Sequence, residues 1–143
     1  LEELLAARLA RQGILQTATP PLLWTVLDEA VLHRCVGTRD VMCEQLSRLV
    51  EMQEKTDRIV VQVLPFDAGA HAVMGGSLTI VSSAHRPDVA YLESSHSGQL
   101  VETPNEVEGY VLAFTHLQTM ALPAEESAAL IRNVMKDRYS HAQ

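Results

Sequence analysis

The spacing of apolar positions changes several times along the chain, and the changes mark out its elements. Leu1, Leu4, Leu5 and Leu9 fall at helical spacing and Gly13 follows as a stop, which predicts a helix over residues 1–12. Ile14 to Pro21 is a connector, because Thr17-Ala18-Thr19-Pro20-Pro21 cannot continue a helix. Leu22 to Leu27, with Trp24, Thr25 and Val26, favours a strand. It runs into Asp28 to Cys35, a short helix with Asp28 as N-cap and Glu29 placed well against the helix dipole; Gly37 ends it. Thr38 caps a second helix from Arg39 to about Lys55, with Met42, Leu46, Leu49 and Gln53 on one face and Val50 beside them. Arg58 to Leu64 is rich in β-branched residues (Ile59, Val60, Val61, Val63) and closed by Pro65. Being apolar on nearly both faces, it reads as a central strand.

Strand, helices and strand in that order form a crossover unit, whose two strands are expected to be parallel neighbours joined right-handedly. Asp67 to Gly76 is loop, with glycines at 69, 75 and 76 around His71. Ser77 to Ser83 and Val89 to Ser94 alternate like half-buried strands, with Ala84 to Asp88 as the antiparallel turn between them. Ser95-His96-Ser97-Gly98 leads by a second hairpin into a weaker strand, Gln99 to Glu102. Thr103-Pro104-Asn105-Glu106 combines an N-cap, a first-turn proline and a capping-box glutamate. Val107, Tyr110, Val111, Phe114, Leu117 and Ala121 then form one apolar stripe. Pro123 opens a last helix with Leu130, Ile131, Val134 and Met135 inward. The expected fold is α/β or α+β: a mixed four- to five-stranded sheet with a β-α-α-β crossover and two C-terminal helices.

Composition narrows the class. At 143 residues the chain is one ordinary domain, long enough to bury a core without disulfides or metals. Only six residues are aromatic, so that core must be largely aliphatic. The sequence has neither an eighteen-residue apolar run nor a signal-peptide pattern, and the expected location is cytoplasmic. Cys35 and Cys43 are eight apart with no zinc-ligand pattern around them, so they are expected to be buried, reduced thiols. The chain opens on Leu1 inside a helical pattern and reads as a piece of a longer polypeptide.

Charge separates the two ends. The net charge of −7 divides into −2 over residues 1–66 and −5 over residues 67–143. From Pro87 to Ile131 there are seven acids (Asp88, Glu93, Glu102, Glu106, Glu108, Glu125, Glu126) and no lysine or arginine. Such a surface repels a nucleic-acid duplex. It is either a solubilising face or one that meets a basic partner, with Glu93, Glu102, Glu106 and Glu108 as the candidate contact residues.

Few residues suggest chemistry. Glu29 and His33 are four apart on one helix face, an arrangement that suits either an ion pair or a proton shuttle. No further ligand set accompanies them, so no metal and no cofactor are expected. His71 stands in the glycine loop just past a strand end, where α/β proteins bind ligands. Gly69, Gly75 and Gly76 match neither phosphate-binding fingerprint. Asp28, Glu29, His33, Pro65 and His71 are therefore the candidate ligand pocket. Ser94-Ser95-His96 pairs nucleophile-type and base-type groups at a hairpin tip, where a working triad is not assembled.

Several segments, in order, carry a family resemblance. They are Arg8-Leu9-Ala10-Arg11-Gln12, then Val26 to Arg34 with Gly37, then Val41-Met42-Cys43-Glu44-Gln45-Leu46 with Leu49. Ile59 to Pro65 with Gly69 and His71 follows, then Ala90-Tyr91-Leu92-Glu93, and Met120-Ala121-Leu122 with Ser127. Together they resemble the C-terminal, non-DNA-binding domain of actinobacterial XRE-type helix-turn-helix transcription regulators, some of them antitoxin-like. Leu78 stands where that family usually has a large aromatic, and Leu122 where it usually has a small residue; both are packing or capping variation. The resemblance implies a domain of unknown function that receives a signal or partner and acts on DNA only through a separate N-terminal domain. The implied partner is a small neighbouring protein or a second copy of the chain, with no membrane involved. A small-molecule sensor with its pocket at the strand ends is the alternative, and a degraded enzyme a second one.

Overall fold

In a computed structural model, which describes residues 2–140, the chain is a mixed helix-and-strand protein of the α+β kind. The helices are α1 (Glu2–Gln12), α2 (Ala30–His33), α3 (Arg39–Lys55), α4 (Pro104–Met120) and α5 (Ala124–Val134). The strands are β1 (Leu23–Asp28), β2 (Ile59–Leu64), β3 (Ser77–Ser83), β4 (Arg86–Glu93) and β5 (Gly98–Val101). A π-helical turn, Met135–Tyr139, follows α5. Leu1, assigned above to the first helix, lies outside the described residues.

The expected β-α-α-β crossover is present. Leu23 N donates to Arg58 O at 2.8 Å and Glu29 N to Leu64 O at 2.9 Å. Both partners advance together along the chain, so β1 and β2 are parallel. The single larger sheet is not formed. The strands divide into a two-stranded sheet, β1-β2, and a separate three-stranded sheet, β3-β4-β5. Consequently β2 is buried without being a central strand. On its edge away from β1, Val61 N donates to Gln53 Oε1 at 2.5 Å, and Val63 O accepts from Leu122 N at 2.9 Å. A side-chain amide and a loop amide satisfy groups that a third strand would otherwise satisfy.

The described residues sort into two compact units, residues 2–25, 32–62 and 124–140 forming the first and residues 26–31 and 63–123 the second. In the first, α3 buries Met42, Leu46 and Val50, which recur every fourth residue, and α5 buries Ser127, Ala128, Ile131 and Val134. These stripes pack together with the π-helical turn. Its Tyr139 hydroxyl donates to Leu32 O at 2.8 Å inside the core. Thr38 caps α3 as expected, its Oγ1 accepting from Val41 N at 3.2 Å. Gly37 adopts φ +79°, a left-handed turn that favours glycine. Because α2 ends at His33, Cys35 falls in the following loop and is exposed, while Cys43 on α3 is half-buried. Both thiols are free, but the expectation that both are buried is wrong for Cys35.

The second unit is built on the antiparallel meander β3-β4-β5. Its register pairs Leu78 with Leu92, Ile80 with Ala90 and Ala90 with Val101. These residues share one face, and α4 covers it with Val107, Tyr110 and Val111 around a core of Ala90, Val101 and Val107. A fully buried aliphatic side chain contributes ~1.5–3 kcal/mol, so this layer is ordinary sheet-on-helix packing. The β3-β4 turn is tighter than the residues 84–88 suggested, since Ser83 pairs directly with Arg86. The Thr103 side chain makes no capping bond. Its carbonyl instead accepts from Glu106 N and Val107 N, both at 3.0 Å, so the capping box read from the sequence does not form through Thr103.

Candidate functional site

Four of the five residues expected to line a strand-end pocket lie in the second unit, and the structure ties them into the backbone. One Asp28 carboxylate oxygen accepts from Ala30 N at 2.7 Å, and the other lies 3.4 Å from His71 Nε2. His71 Nδ1 accepts from Val73 N at 3.3 Å, which assigns the ring proton to Nε2, facing Asp28. Glu29 Oε2 accepts from Phe66 N at 2.8 Å, just after Pro65, whose carbonyl accepts from Ala68 N at 3.0 Å. Gly69 completes this turn at φ +74°. The group thus fastens the loop after β2: Asp28 holds His71, and His71 holds Val73. His33 belongs to the first unit, where its carbonyl accepts from the Arg138 guanidinium at 3.4 Å. Among the described residues no group of three or more His, Cys, Asp or Glu could hold a metal ion.

A cavity of about 560 Å³ opens farther along the same loop, wholly within the second unit. Its floor is Leu78 on β3, Leu92 on β4 and Gln99 on β5, the row of the sheet that faces α4. One wall is the α4 row Glu106, Gly109, Tyr110 and Ala113, spaced three and four apart as one helix face requires. The rim comprises Ala72 to Ser77, apart from Met74, and the hairpin residues Ser94 and Ser97. This hairpin is closed by Ser94 N donating to Ser97 O at 2.9 Å and by their hydroxyls 2.9 Å apart. The volume lies within the range of ligand pockets, ~300–1,000 Å³.

Two glycines shape this space. At Gly76 a Cβ would overlap the carbonyl oxygen of Glu93, so the chain enters β3 against the end of β4 as only glycine allows. At Gly109 a Cβ would meet nothing within 4 Å, and φ is not positive. A glycine there lowers helix stability by ~1 kcal/mol relative to alanine, with no backbone reason for it. The position a side chain would take there is open, at a residue that lines the cavity.

None of the lining residues is lysine, arginine or histidine, whereas Glu93 and Glu106 both line the space and are exposed to solvent. No described cation pairs with either. Glu102 and Glu108, the other two candidate partner contacts, are exposed in the same unit but do not line the cavity. Ser95 Oγ and His96 Nδ1 are 2.7 Å apart on the exposed hairpin tip, a contact between sequence neighbours outside the cavity lining.

The cavity lining begins at Ala72, one residue past the sequence candidate His71, and includes none of Asp28, Glu29, His33, Pro65 and His71. Gly75-Gly76 and a glycine within the amphipathic stripe of α4 are the sequence features that fall at this cavity. Among the described residues no helix is long and apolar enough to cross a membrane. No curated protein and no solved structure matches the chain significantly. A family model described as a domain of unknown function, DUF5753, matches residues 1–133. The chain therefore belongs to the DUF5753 family.

Proposed function

We propose that this domain is the signal-receiving part of a helix-turn-helix transcription regulator of the actinobacterial XRE type, and that the signal is a small molecule held in the cavity between α4 and the β3-β4-β5 sheet. The observation that carries the reading is the pairing of a ligand-sized space with Gly109, whose missing side chain keeps part of that space open. The domain would carry out no reaction. It would alter DNA binding by a separate N-terminal domain when the cavity is filled. The test is a thermal-shift screen of small metabolites against this chain and against Gly109→Leu, which adds a bulky side chain to the cavity wall. A ligand at 100 times its Kd stabilises the protein by about 2.7 kcal/mol. The expected result is a compound that raises the melting temperature of the original chain and not that of the variant. A broad screen without any such compound overturns the proposal.

A second reading, docking of a small neighbouring protein or a second copy, is favoured by a different observation. The sheet face away from α4 leaves Val81 55 % and Leu100 57 % exposed beside Tyr91, and the same unit carries the exposed acids Glu93, Glu102, Glu106 and Glu108. Titrating the chain with the product of the adjacent gene, and repeating this with Glu93, Glu106 and Glu108 changed to Gln, tests it. Unchanged affinity in the triple variant removes the electrostatic part of this reading.

A further inference from the structure

We infer that the cavity selects an organic cation: an ammonium group on an apolar body. The inference rests on the reading of the cavity as a ligand site and adds the chemical class of its occupant.

The lining has two chemical parts. Leu78, Leu92, Val73 and Ala113 offer an aliphatic surface that gains free energy by covering apolar carbon. Against it stand Glu106 and the half-buried ring of Tyr110, one turn apart on α4; Glu93 lines the end of the space at β4, in the strand row of Tyr91. Carboxylates attract a positive charge, and the face of a phenol ring attracts it further when the cation lies within ~6 Å of the ring centre. An anionic ligand would find no lysine, arginine or histidine in the lining. The surrounding stretch from Pro87 to Ile131, which carries seven acids and no lysine or arginine, extends the same potential beyond the cavity. A neutral ligand gains nothing from the Glu106 carboxylate and must still share the space with its hydration. Charge and shape therefore agree on an amphipathic cation.

Three probes of nearly equal size separate the possibilities: octylamine, octanol and octanoate, charged +1, 0 and −1 at neutral pH. Each is titrated calorimetrically into this chain and into Glu106→Gln, Glu125→Gln and Gly109→Leu. Glu125→Gln reduces the net negative charge of the protein equally but at an exposed position on α5, outside the lining. Octylamine is expected to bind about tenfold more tightly than octanol, the combined order of an exposed ion pair and a cation–π contact, and octanoate most weakly. Glu106→Gln should reduce octylamine affinity several-fold and leave octanol unchanged, and Glu125→Gln should change neither. Equal binding of all three probes, abolished by Gly109→Leu, overturns the charge selectivity while leaving the cavity as a ligand site. An equal loss of octylamine binding in Glu106→Gln and Glu125→Gln also overturns the selectivity, by assigning it to net charge. Binding that Gly109→Leu does not affect, or no binding by any probe, removes the site and the inference together. Glu106 is exposed, so its amide variant folds even if Gly109→Leu does not, and it keeps the selectivity testable alone.

Discussion

The α-carbon of Gly76 faces the backbone carbonyl of Glu93 so closely that a Cβ at residue 76 would overlap that oxygen. The clash is with backbone, which cannot rotate away as a side chain can. Gly76→Ala must therefore displace the start of β3 from the end of β4, and with it the rim of the cavity. Overpacking of this kind costs ~1–3 kcal/mol. Urea denaturation of the variant should show a lower midpoint, and an unchanged midpoint would mean that the two segments yield freely.

Gly109 should behave oppositely. Its Cβ position is open and its backbone is helical without positive φ, so Gly109→Ala adds helix propensity and reduces the freedom of the unfolded chain. The expected gain is about 0.4–1 kcal/mol, seen as a higher melting temperature. If the cavity holds a ligand, the same variant should bind it less tightly. A stabilised variant with weaker binding is the signature of a position kept small for its space.

Gln53 bridges two distant segments of the first unit. Its Nε2 donates to Ala124 O at 3.0 Å, and its Oε1 accepts from Val61 N at 2.5 Å. Gln53→Leu keeps the volume and leaves the half-buried amide of Val61 without this acceptor. The loss should be ~1–3 kcal/mol, and amide exchange at Val61 should accelerate more than exchange across the helix α3. Equal acceleration throughout would indicate a loss of global stability only.

The two threonine caps give a matched pair. Thr38 Oγ1 accepts from Val41 N, whereas the Thr103 side chain caps nothing. Thr38→Ala is expected to destabilise by ~1 kcal/mol and Thr103→Ala to stay within about 0.5 kcal/mol of the original. Denaturation of both variants in one buffer decides whether the capping difference is real.

The contrast between Thr38 and Thr103 shows where sequence reading stops. Both precede a helix whose apolar spacing is clear, and both are preferred N-cap residues. The backbone at Thr103 leaves its hydroxyl unused, and nothing in the local sequence distinguishes that outcome from the one at Thr38. The site residues follow the same division. Asp28, Glu29, Pro65 and His71 were legible as a cluster after β2, and the structure joins Asp28 to His71 over 43 positions of sequence. The cavity was not legible, because it is a gap left among Leu78, Leu92 and α4, and a gap has no residue of its own.

By itself the sequence determined the elements: the period of Leu46 and Val50, the β-branched run of β2, the stop at Gly37, the crossover from β1 to β2, and an acidic half without lysine or arginine from Pro87 to Ile131. These are short-range or compositional properties, set by side-chain spacing and backbone preference within a few residues. Only the tertiary structure decided that the five strands form two sheets and that Gln53 and Leu122 occupy the second edge of β2. It alone decided that Gly109 opens onto a space. Each of those outcomes depends on which distant groups reach a given hydrogen-bonding edge or fill a given volume, and local periodicity carries no record of either.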